Sequence, residues 1–182
     1  MRIAVSGRAA VSFFATLFRL KKMQKVIPCL WFNYNAEEAV NFYVGLIPNS
    51  KIIRICKSPN DNPSVKQGEV LTIDFTLGGN QYLALNGGPK FSFTEAVSFQ
   101  IMCEDQAEVD RYWEALTNGG TEVACSWLKD RWGLSWQIVP IRLMELLNDP
   151  DRAKAKRAMD AMMNMVKIDI AELERAAEDR AD

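Results

Sequence analysis

The side chains that usually carry enzymatic chemistry are sparse in this chain and stand apart from one another. The 182 residues include no histidine, so general acid–base catalysis would fall to a carboxylate, a lysine, a tyrosine or a cysteine. The most visible carboxylate pair, Glu37 and Glu38, lies in a predicted helix, where adjacent side chains point about 100° apart. No pair of residues is therefore visibly placed for proton transfer, and we predict no catalytic residue.

The four cysteines are the other candidate nucleophiles or metal ligands. No two of Cys29, Cys56, Cys103 and Cys125 have the C-x-x-C spacing of zinc or redox sites. Three of them lie in or beside extended apolar runs, which favours buried, reduced thiols and a cytoplasmic protein. The spacing does not exclude that one of the four cysteines is a reactive thiol.

The glycine pairs bear on cofactor binding. Gly78-Gly79 and Gly87-Gly88 stand in hairpin or turn settings. No glycine-rich strand-to-helix loop is present to hold an adenosyl or dinucleotide cofactor. We expect no cofactor.

The elements that must position any site are predicted by a pattern that occurs twice, at an offset of 70 residues. The segment from Asn35 to Leu46 recurs from Asp105 to Leu116, and each copy follows an extended apolar run. Asn35 and Asp105 are good helix N-caps, with Glu38 and Glu108 three residues further on. Duplication predicts two matched halves with a concave site where they meet; chance amphipathic similarity is the alternative.

Hydrophobic periodicity predicts the order β-α-β-β-β in each half. In the first half we predict strands at 26–33, 51–57, 69–77 and 81–86 and a helix at 36–46. In the second half we predict strands at 96–103, near 121–124 and 125–129, and at 133–139, with a helix at 106–117.

The chain is predicted to be helical after Pro140. A short helix spans Arg142 to Asn148, and a second begins at Asp149-Pro150. A seam of Ala155, Met159, Met162 and Val166, with Ala158 and Met163 beside it, must be covered, either by the protein's own sheet or by a partner. Residues 169–182 are charged and are expected to fray.

Composition narrows the class of protein. An apolar share of 48% and a charged share of 25% are ordinary for a globular domain. Residues 1–23 contain five basic and no acidic side chains; removing those five from the 22 basic residues leaves 17 against 23 acidic ones, a net charge of −6. A negative net charge over residues 24–182 would not attract nucleic acid.

The first segment, residues 1–22, is interpreted as an N-terminal extension, either an upstream-start artefact or a disordered leader. A secretory signal is the alternative, but its apolar stretch, Ala9 to Phe18, is too short to span a bilayer. We predict a paired domain at 24–140, with modules at 24–90 and 95–140, and a C-terminal helical segment at 141–182.

Five local motifs in this order resemble one family. They are Ile27-Pro-Cys-Leu-Trp-Phe-Asn33, Ala36-Glu-Glu-Ala-Val-Asn-Phe-Tyr43, Leu83-Ala-Leu-Asn-Gly-Gly-Pro-Lys-Phe91, Ala96-Val-Ser-Phe-Gln100 and Trp127-Leu-Lys-Asp-Arg-Trp-Gly-Leu-Ser-Trp-Gln-Ile-Val-Pro140. They resemble the PhnB-like branch of the vicinal oxygen chelate superfamily, often labelled 3-demethylubiquinone-9 3-methyltransferase-like. The superfamily includes glyoxalase I and bleomycin-resistance proteins. The resemblance implies an α+β fold in which two tandem βαβββ modules form a cupped mixed sheet, followed by C-terminal helices.

The resemblance also implies where a metal would bind. The metal-using members supply ligands from the first and last strands of each module, and these positions fall at about Pro28, Ala84, Ser98 and Gln137. Proline and alanine side chains cannot coordinate a metal, and serine and glutamine are weak neutral donors. We therefore predict no metal site.

What remains is an apolar concavity with neutral polar groups. If Gln137 faces the cup, strand alternation places Ser135 and Val139 there, with Gln100 and Met102 beside Ser98. The predicted ligand-binding residues are Leu30, Phe32, Tyr82, Asn86, Lys90, Phe91, Phe93, Ser98, Gln100, Trp127, Trp132, Ser135 and Gln137. The alternatives stay open that these residues pack solidly, that Lys90 is solvated, and that the turn of Lys129, Asp130 and Arg131 is exposed rather than part of a rim.

The sequence therefore predicts a metal-free protein that holds an aromatic or amphipathic small molecule. The alternatives are an enzyme, either a methyltransferase or a metal-independent lyase or isomerase, and a structural protein that uses its Met-rich helix as a contact. A homodimer is expected from the resemblance, without nucleic acid or membrane partners.

Overall fold

The computed structural model describes residues 24–179, so the predicted extension at 1–22 lies outside the described residues. The first module comprises β1 (Cys29–Phe32), α1 (Ala36–Leu46), β2 (Lys51–Lys57), β3 (Val70–Leu77) and β4 (Asn80–Asn86). The second comprises β5 (Ser98–Cys103), α2 (Gln106–Thr117), β6 (Thr121–Glu122), β7 (Trp127–Lys129) and β8 (Ser135–Pro140). Three helices follow: α3 (Ile141–Leu147), α4 (Arg152–Met162) and α5 (Ile170–Glu178). The predicted α+β fold of two βαβββ modules with C-terminal helices is confirmed.

Each module forms a four-stranded mixed sheet with the same topology. The strand orders are β1-β4-β3-β2 and β5-β8-β7-β6. The first strand of each module pairs in parallel with the last, and the remaining pairs are antiparallel. Consequently β1 and β5 are each paired on one side only within the described part of the chain.

One face of each sheet is covered by the helix of its module. Alternation along the strands places Leu30, Phe32, Ile73 and Phe75 against α1, where each is at most 5% exposed. In the second sheet Trp136 and Ile138 lie on the face covered by α2. We call the other face of each sheet its open face.

The number of residues that separates equivalent positions of the two modules is 70 for the helices but 71 for the first strands. The helices follow the predicted offset of 70 residues, but β1 ends at Phe32 whereas β5 ends at Cys103. The connection from β1 to α1 contains one more residue, and Tyr34 within it has a left-handed φ of 63°. Strand positions therefore correspond at an offset of 71, which changes the face to which each residue of β1 points.

The predicted N-cap hydrogen bond is present in α2 and absent in α1. Asp105 caps α2, since its side chain accepts the N–H of Glu108, as predicted. The side chain of Asn35 makes no such bond, and Asn86 Oδ1 accepts the N–H of Ala36 at 3.0 Å instead. A residue 50 positions away thus satisfies the start of α1.

The C-terminal helices form a second core, which corrects two predictions. Residues 170–178 are not frayed: Asp169 caps α5, and Leu173 and Ala177 are fully buried. Fewer residues of the predicted seam are buried than expected. Ala155 and Ala158 are buried, and α4 ends at Met162. Met159, Met163 and Val166 are 41–58% exposed, since the helical period does not continue to Val166. The buried face of α4 packs on α3 and α5, whereas the sequence predicted that the protein's own sheet or a partner would cover it.

Candidate functional site

The open face of the second sheet carries a chain of neutral polar side chains. Gln137 Nε2 donates to Ser98 Oγ at 2.7 Å, and Gln100 Nε2 donates to Gln137 Oε1 at 3.1 Å. We call Ser98, Gln100 and Gln137 the polar ladder. Trp127 pairs with Gln137 across the β7–β8 ladder, and so lies on the same face. The structure therefore brings together four of the predicted residues.

Two further residues of this face were predicted to line the cup. Ser135 is 1% exposed, and its Oγ has no hydrogen-bond partner within residues 24–179, although its neighbours across the strands are Ser98 and Lys129. Val139 is covered by the C-terminal helices, so it is no part of an open cup. The helices thus close one end of this face.

The predicted residues of the first module lie on the other face of their sheet. Leu30 and Phe32 are buried against α1, and Asn86, which bonds Ala36 N and Val70 O, is a structural side chain. Tyr82 also belongs to this face and contacts Phe99 of the second module at 5.1 Å between ring centroids. Their placement in an open cup was wrong. In β1 the one extra residue at Tyr34 reverses the alternation inferred from the offset of 70, and in β4 Ala84, the position taken to face the cup, is itself fully buried on the same face as Tyr82 and Asn86. The residues facing the open side are Cys29, Trp31, Leu83 and Leu85.

The loop after β4 is held by aromatic side chains. Trp31 Nε1 donates to Gly88 O at 2.8 Å, and a Cβ on Gly87 would lie 2.2 Å from the Trp31 ring, so this position requires glycine. Phe91 packs edge-on against Trp31 and remains 56% exposed, with Lys90 beside its ring. Phe93 instead contacts Phe32 and fills the core.

Trp132 and Asp130 lie between the modules rather than at a rim. Trp132 contacts Phe42 and Tyr43 of α1 at 5.4 and 5.3 Å between centroids. Asp130 is 4% exposed and accepts from Tyr43 Oη at 2.5 Å and from Trp136 Nε1 at 2.8 Å. The predicted alternative of an exposed turn is therefore wrong for Asp130. One indication of this buried role is present in the sequence, since Asp130 lies close to two tryptophans along the chain.

A groove runs between the two modules along the unpaired edge of β5. Its volume is about 570 Å³. The lining includes predicted residues Tyr82, Ser98 and Gln100, together with Ile47, Leu77, Phe99, Met102, Tyr112 and Trp136. Burial raises the pKa of the phenols of Tyr82 and Tyr112 above the ordinary value, so both are neutral at pH 7.

The cysteines are less buried than predicted. Cys103 is buried and its thiol pKa is raised to about 12, chiefly by desolvation. Cys29 is exposed, while Cys56 and Cys125 are half-buried. All four are free thiols.

The residues at the superfamily's metal positions do not fit a divalent cation. The strand offset of 71 makes Ile27 and Leu83 the counterparts of Ser98 and Gln137, in place of Pro28 and Ala84. Neither has a donor atom, and the two polar members bond each other. Among residues 24–179, no group of three His, Cys, Asp or Glu side chains is placed to hold a metal ion.

Comparison with known proteins identifies the fold that carries this site. Residues 24–139 match the model of the 3-demethylubiquinone-9 3-methyltransferase family. The chain belongs to this family. A PhnB protein from Bacillus cereus, described as a 3-demethylubiquinone-9 3-methyltransferase, is 32% identical; the alignment covers 64% of this chain and 99% of that one, with a TM-score of 0.58.

One more distant structure shares the fold, and another is more weakly similar. A Pseudomonas aeruginosa protein is 19% identical over 65% of this chain and 98% of its own, with a TM-score of 0.53. The fosfomycin resistance protein FosX from Mesorhizobium loti is 14% identical over 64% of this chain and 92% of its own, with a TM-score of 0.43. A search of curated proteins gave no match. Together with the motifs, the family match supports the PhnB-like branch of the vicinal oxygen chelate superfamily, and helices α3–α5 lie beyond the matched region.

Proposed function

We propose that this protein binds a small aromatic or amphipathic molecule, without a metal, in the groove between its two modules. The observation that carries the proposal is the groove itself, in which aromatic and aliphatic walls meet Ser98 and Gln100 of the polar ladder; Gln137 lies behind them and is hydrogen-bonded to both. Its volume of about 570 Å³ lies within the range of sites for small molecules.

The polar ladder suits recognition of neutral polar groups. Gln100 and Gln137 each offer an amide that both donates and accepts, and Gln100 is exposed. A ligand group can therefore replace the 3.1 Å bond between the two amides without leaving a buried charge. The half-buried rings of Tyr82 and Phe99 supply the apolar surface for a flat ring.

An enzyme of the same family is the second candidate, favoured by the methyltransferase description of the family and of the Bacillus cereus relative. The chemistry of the site gives it less support. The strand-to-helix connections at 33–35 and 104–105 contain no glycine to approach an adenosyl cofactor. The phenols in the groove stay protonated at pH 7, because burial raises their pKa, and a protonated phenol cannot accept a proton as a general base.

The test combines native mass spectrometry, metal analysis and titration with the neutral fluorophore N-phenyl-1-naphthylamine. We expect fluorescence enhancement on binding, loss of about tenfold in affinity in Gln137→Leu and Gln100→Leu, and no change in Gln67→Leu, an exposed loop control. Stoichiometric zinc, nickel or iron, or a fluorophore affinity unchanged in both groove variants, would contradict the proposal. Tight binding of S-adenosylmethionine by calorimetry would favour the enzyme.

A homodimer is part of the proposal. Both β1 and β5 have an edge that pairs with no other described strand, and Ile27, Val97 and Met102 beside them are 42–64% exposed. An exposed edge with apolar side chains is a typical site for association. In the described residues no helix has the length and apolar character needed to cross a membrane. A cytoplasmic location stays a prediction that rests on the free cysteines.

A further inference from the structure

A second concavity lies on the open face of the first sheet, away from the polar ladder. Its volume is about 410 Å³. Its lining consists of Gln24, Ile27, Ile53, Arg54, Asp74 and Gln81, together with Phe75 and Tyr82, whose side chains lie on the covered face of the same sheet. We call it the Arg54 pocket. Ile27 and Ile53 give it an apolar floor, each more than 40% exposed, and Arg54 and Asp74 are its charged members.

A β-bulge in β2 puts Arg54 on this face. Ile52 pairs with Phe75, but Arg54 pairs with Asp74, so the register shifts by one residue at Ile53. Without that extra residue, Ile53 would oppose Asp74, and Arg54 would oppose Ile73, which is fully buried under α1. The bulge therefore places the guanidinium on the same face as Asp74, beside the pocket, and not on the helix side of this edge strand, which is a recurrent use of bulges beside binding sites.

The geometry of the ion pair leaves the cation accessible. Arg54 Nε and Nη2 both donate to Asp74 Oδ2 at 2.7 Å, so one carboxylate oxygen engages one edge of the guanidinium. Nη1 has no partner among the described residues. The side chain of Arg54 is 68% exposed and that of Asp74 is 26% exposed. Asp74 thus fixes the orientation of Arg54 while Arg54 presents its free N–H groups outward.

Among the described residues, Arg54 is the one basic residue in the lining of this pocket, since Lys51 and Lys57, at the two ends of β2, lie outside that lining. A planar guanidinium with free donors matches the geometry of a carboxylate, and the adjacent isoleucines match a hydrocarbon or aromatic body. A plain surface salt bridge would contribute little and would not need a concave apolar neighbourhood.

We propose that the Arg54 pocket is a binding site for a small aromatic or aliphatic carboxylate, with Arg54 receiving the carboxylate and Asp74 acting as a positioning residue. The site shares Tyr82 with the groove between the modules, but Arg54, Asp74 and the two isoleucines line the Arg54 pocket alone, so it does not depend on a ligand in the groove. It uses the outer strands β2 and β3 and the residues that precede β1.

The experiment compares two probes with the same ring system, 2-naphthoate and the neutral 2-naphthylmethanol, by calorimetry on the full chain. We expect wild type to prefer 2-naphthoate by at least tenfold. Arg54→Gln should weaken 2-naphthoate binding at least tenfold and change 2-naphthylmethanol less than twofold, and Arg54→Lys should give an intermediate loss. Arg152→Gln, an exposed arginine at the start of α4, is the matched control and should bind as wild type does.

Amide chemical shifts show which site is used. Saturation with 2-naphthoate should move the signals of Ile27, Ile53 and Gln81, and Gln100→Leu and Gln137→Leu should leave its affinity unchanged. Equal affinities for the two probes, an unchanged affinity in Arg54→Gln, or no 2-naphthoate binding at millimolar concentration would each overturn the proposal. A loss in the two groove variants would also overturn it, since binding would then take place between the modules. The unfolding midpoint of each variant verifies that it is folded.

Discussion

At the scale of single residues, Asp130 joins the two modules through one carboxylate. Besides the side chains of Tyr43 and Trp136, it accepts the N–H groups of Trp132 and Leu134 at 2.9 and 3.0 Å. These four donors come from α1, from β8 and from the turn that contains Asp130 itself. A buried carboxylate with this many partners is costly to disturb, because each donor would be left without an acceptor.

We expect Tyr43→Phe to lower the free energy of unfolding by about 2 kcal/mol, and Asp130→Ala by about 3 kcal/mol or more. The phenylalanine keeps the ring contacts with Trp132 and Trp136 and removes one hydrogen bond, whereas alanine leaves all four donors unpaired. Urea denaturation measures both. Equal, negligible losses would show that the network contributes nothing to stability.

Asp130 also predicts an unusual pH dependence. Desolvation raises its pKa in the folded protein above the ordinary value near 4, despite its hydrogen bonds. The folded state then binds the proton more tightly than the unfolded state. The contribution of Asp130 to stability is therefore present at low pH and falls as the pH rises from about 4, the pKa in the unfolded chain, through the higher pKa in the folded protein. We expect wild type to lose stability relative to Asp130→Asn above about pH 4, measured by urea denaturation from pH 3.5 to 7. The opposite slope would contradict a raised pKa.

At the scale of elements, the C-terminal helices act as a cover for the second module. Val139 extends from the open face of β8 into their core, with Leu143, Met165, Ile168 and Leu173. Gln106 at the start of α2 accepts the N–H of Ile170 at 2.9 Å and donates to Ile168 O at 3.2 Å. Helix α5 is thus fixed by contacts with residues more than 60 positions earlier, in addition to its own cap.

We expect Leu173→Ala to lower the free energy of unfolding by about 2–4 kcal/mol, because the leucine is fully buried in this core. Val166→Ala, where the side chain is 46% exposed, should cost less than about 1 kcal/mol. Thermal or urea unfolding followed by far-UV circular dichroism compares them. Equal small losses would indicate that α5 is detached in solution.

At the scale of the whole molecule, the modules meet through their helix-covered faces. Tyr43 contacts Trp136, and Tyr82 contacts Phe99, at centroid distances of 5.3 and 5.1 Å. One continuous core therefore spans both modules, while the open faces remain available. Closing an open face requires another surface, and a second copy of the chain offers a complementary one by symmetry.

We expect the protein to sediment at twice the 20.6 kDa mass of one chain. Met102→Glu, on the open face of β5 and 45% exposed, should shift it to the monomer, because a charge at an apolar interface is costly. Met163→Glu, 58% exposed after α4, is the matched control and should leave the dimer intact. Monomeric wild type, or an unaffected Met102→Glu dimer, would contradict this assembly.

The sequence by itself determined the repeat of βαβββ modules, the α2 cap and the faces of β5 and β8, because these follow from periodicity within a few consecutive residues. It also determined that the chain contains no histidine. Tertiary structure decided the rest. The extra residue at Tyr34 and the bulge at Ile53 each shift a register by one, and a single shift exchanges the two faces of a strand. The buried role of Asp130 and the order of α5 depend on partners dozens of residues away, and local pattern does not contain that information.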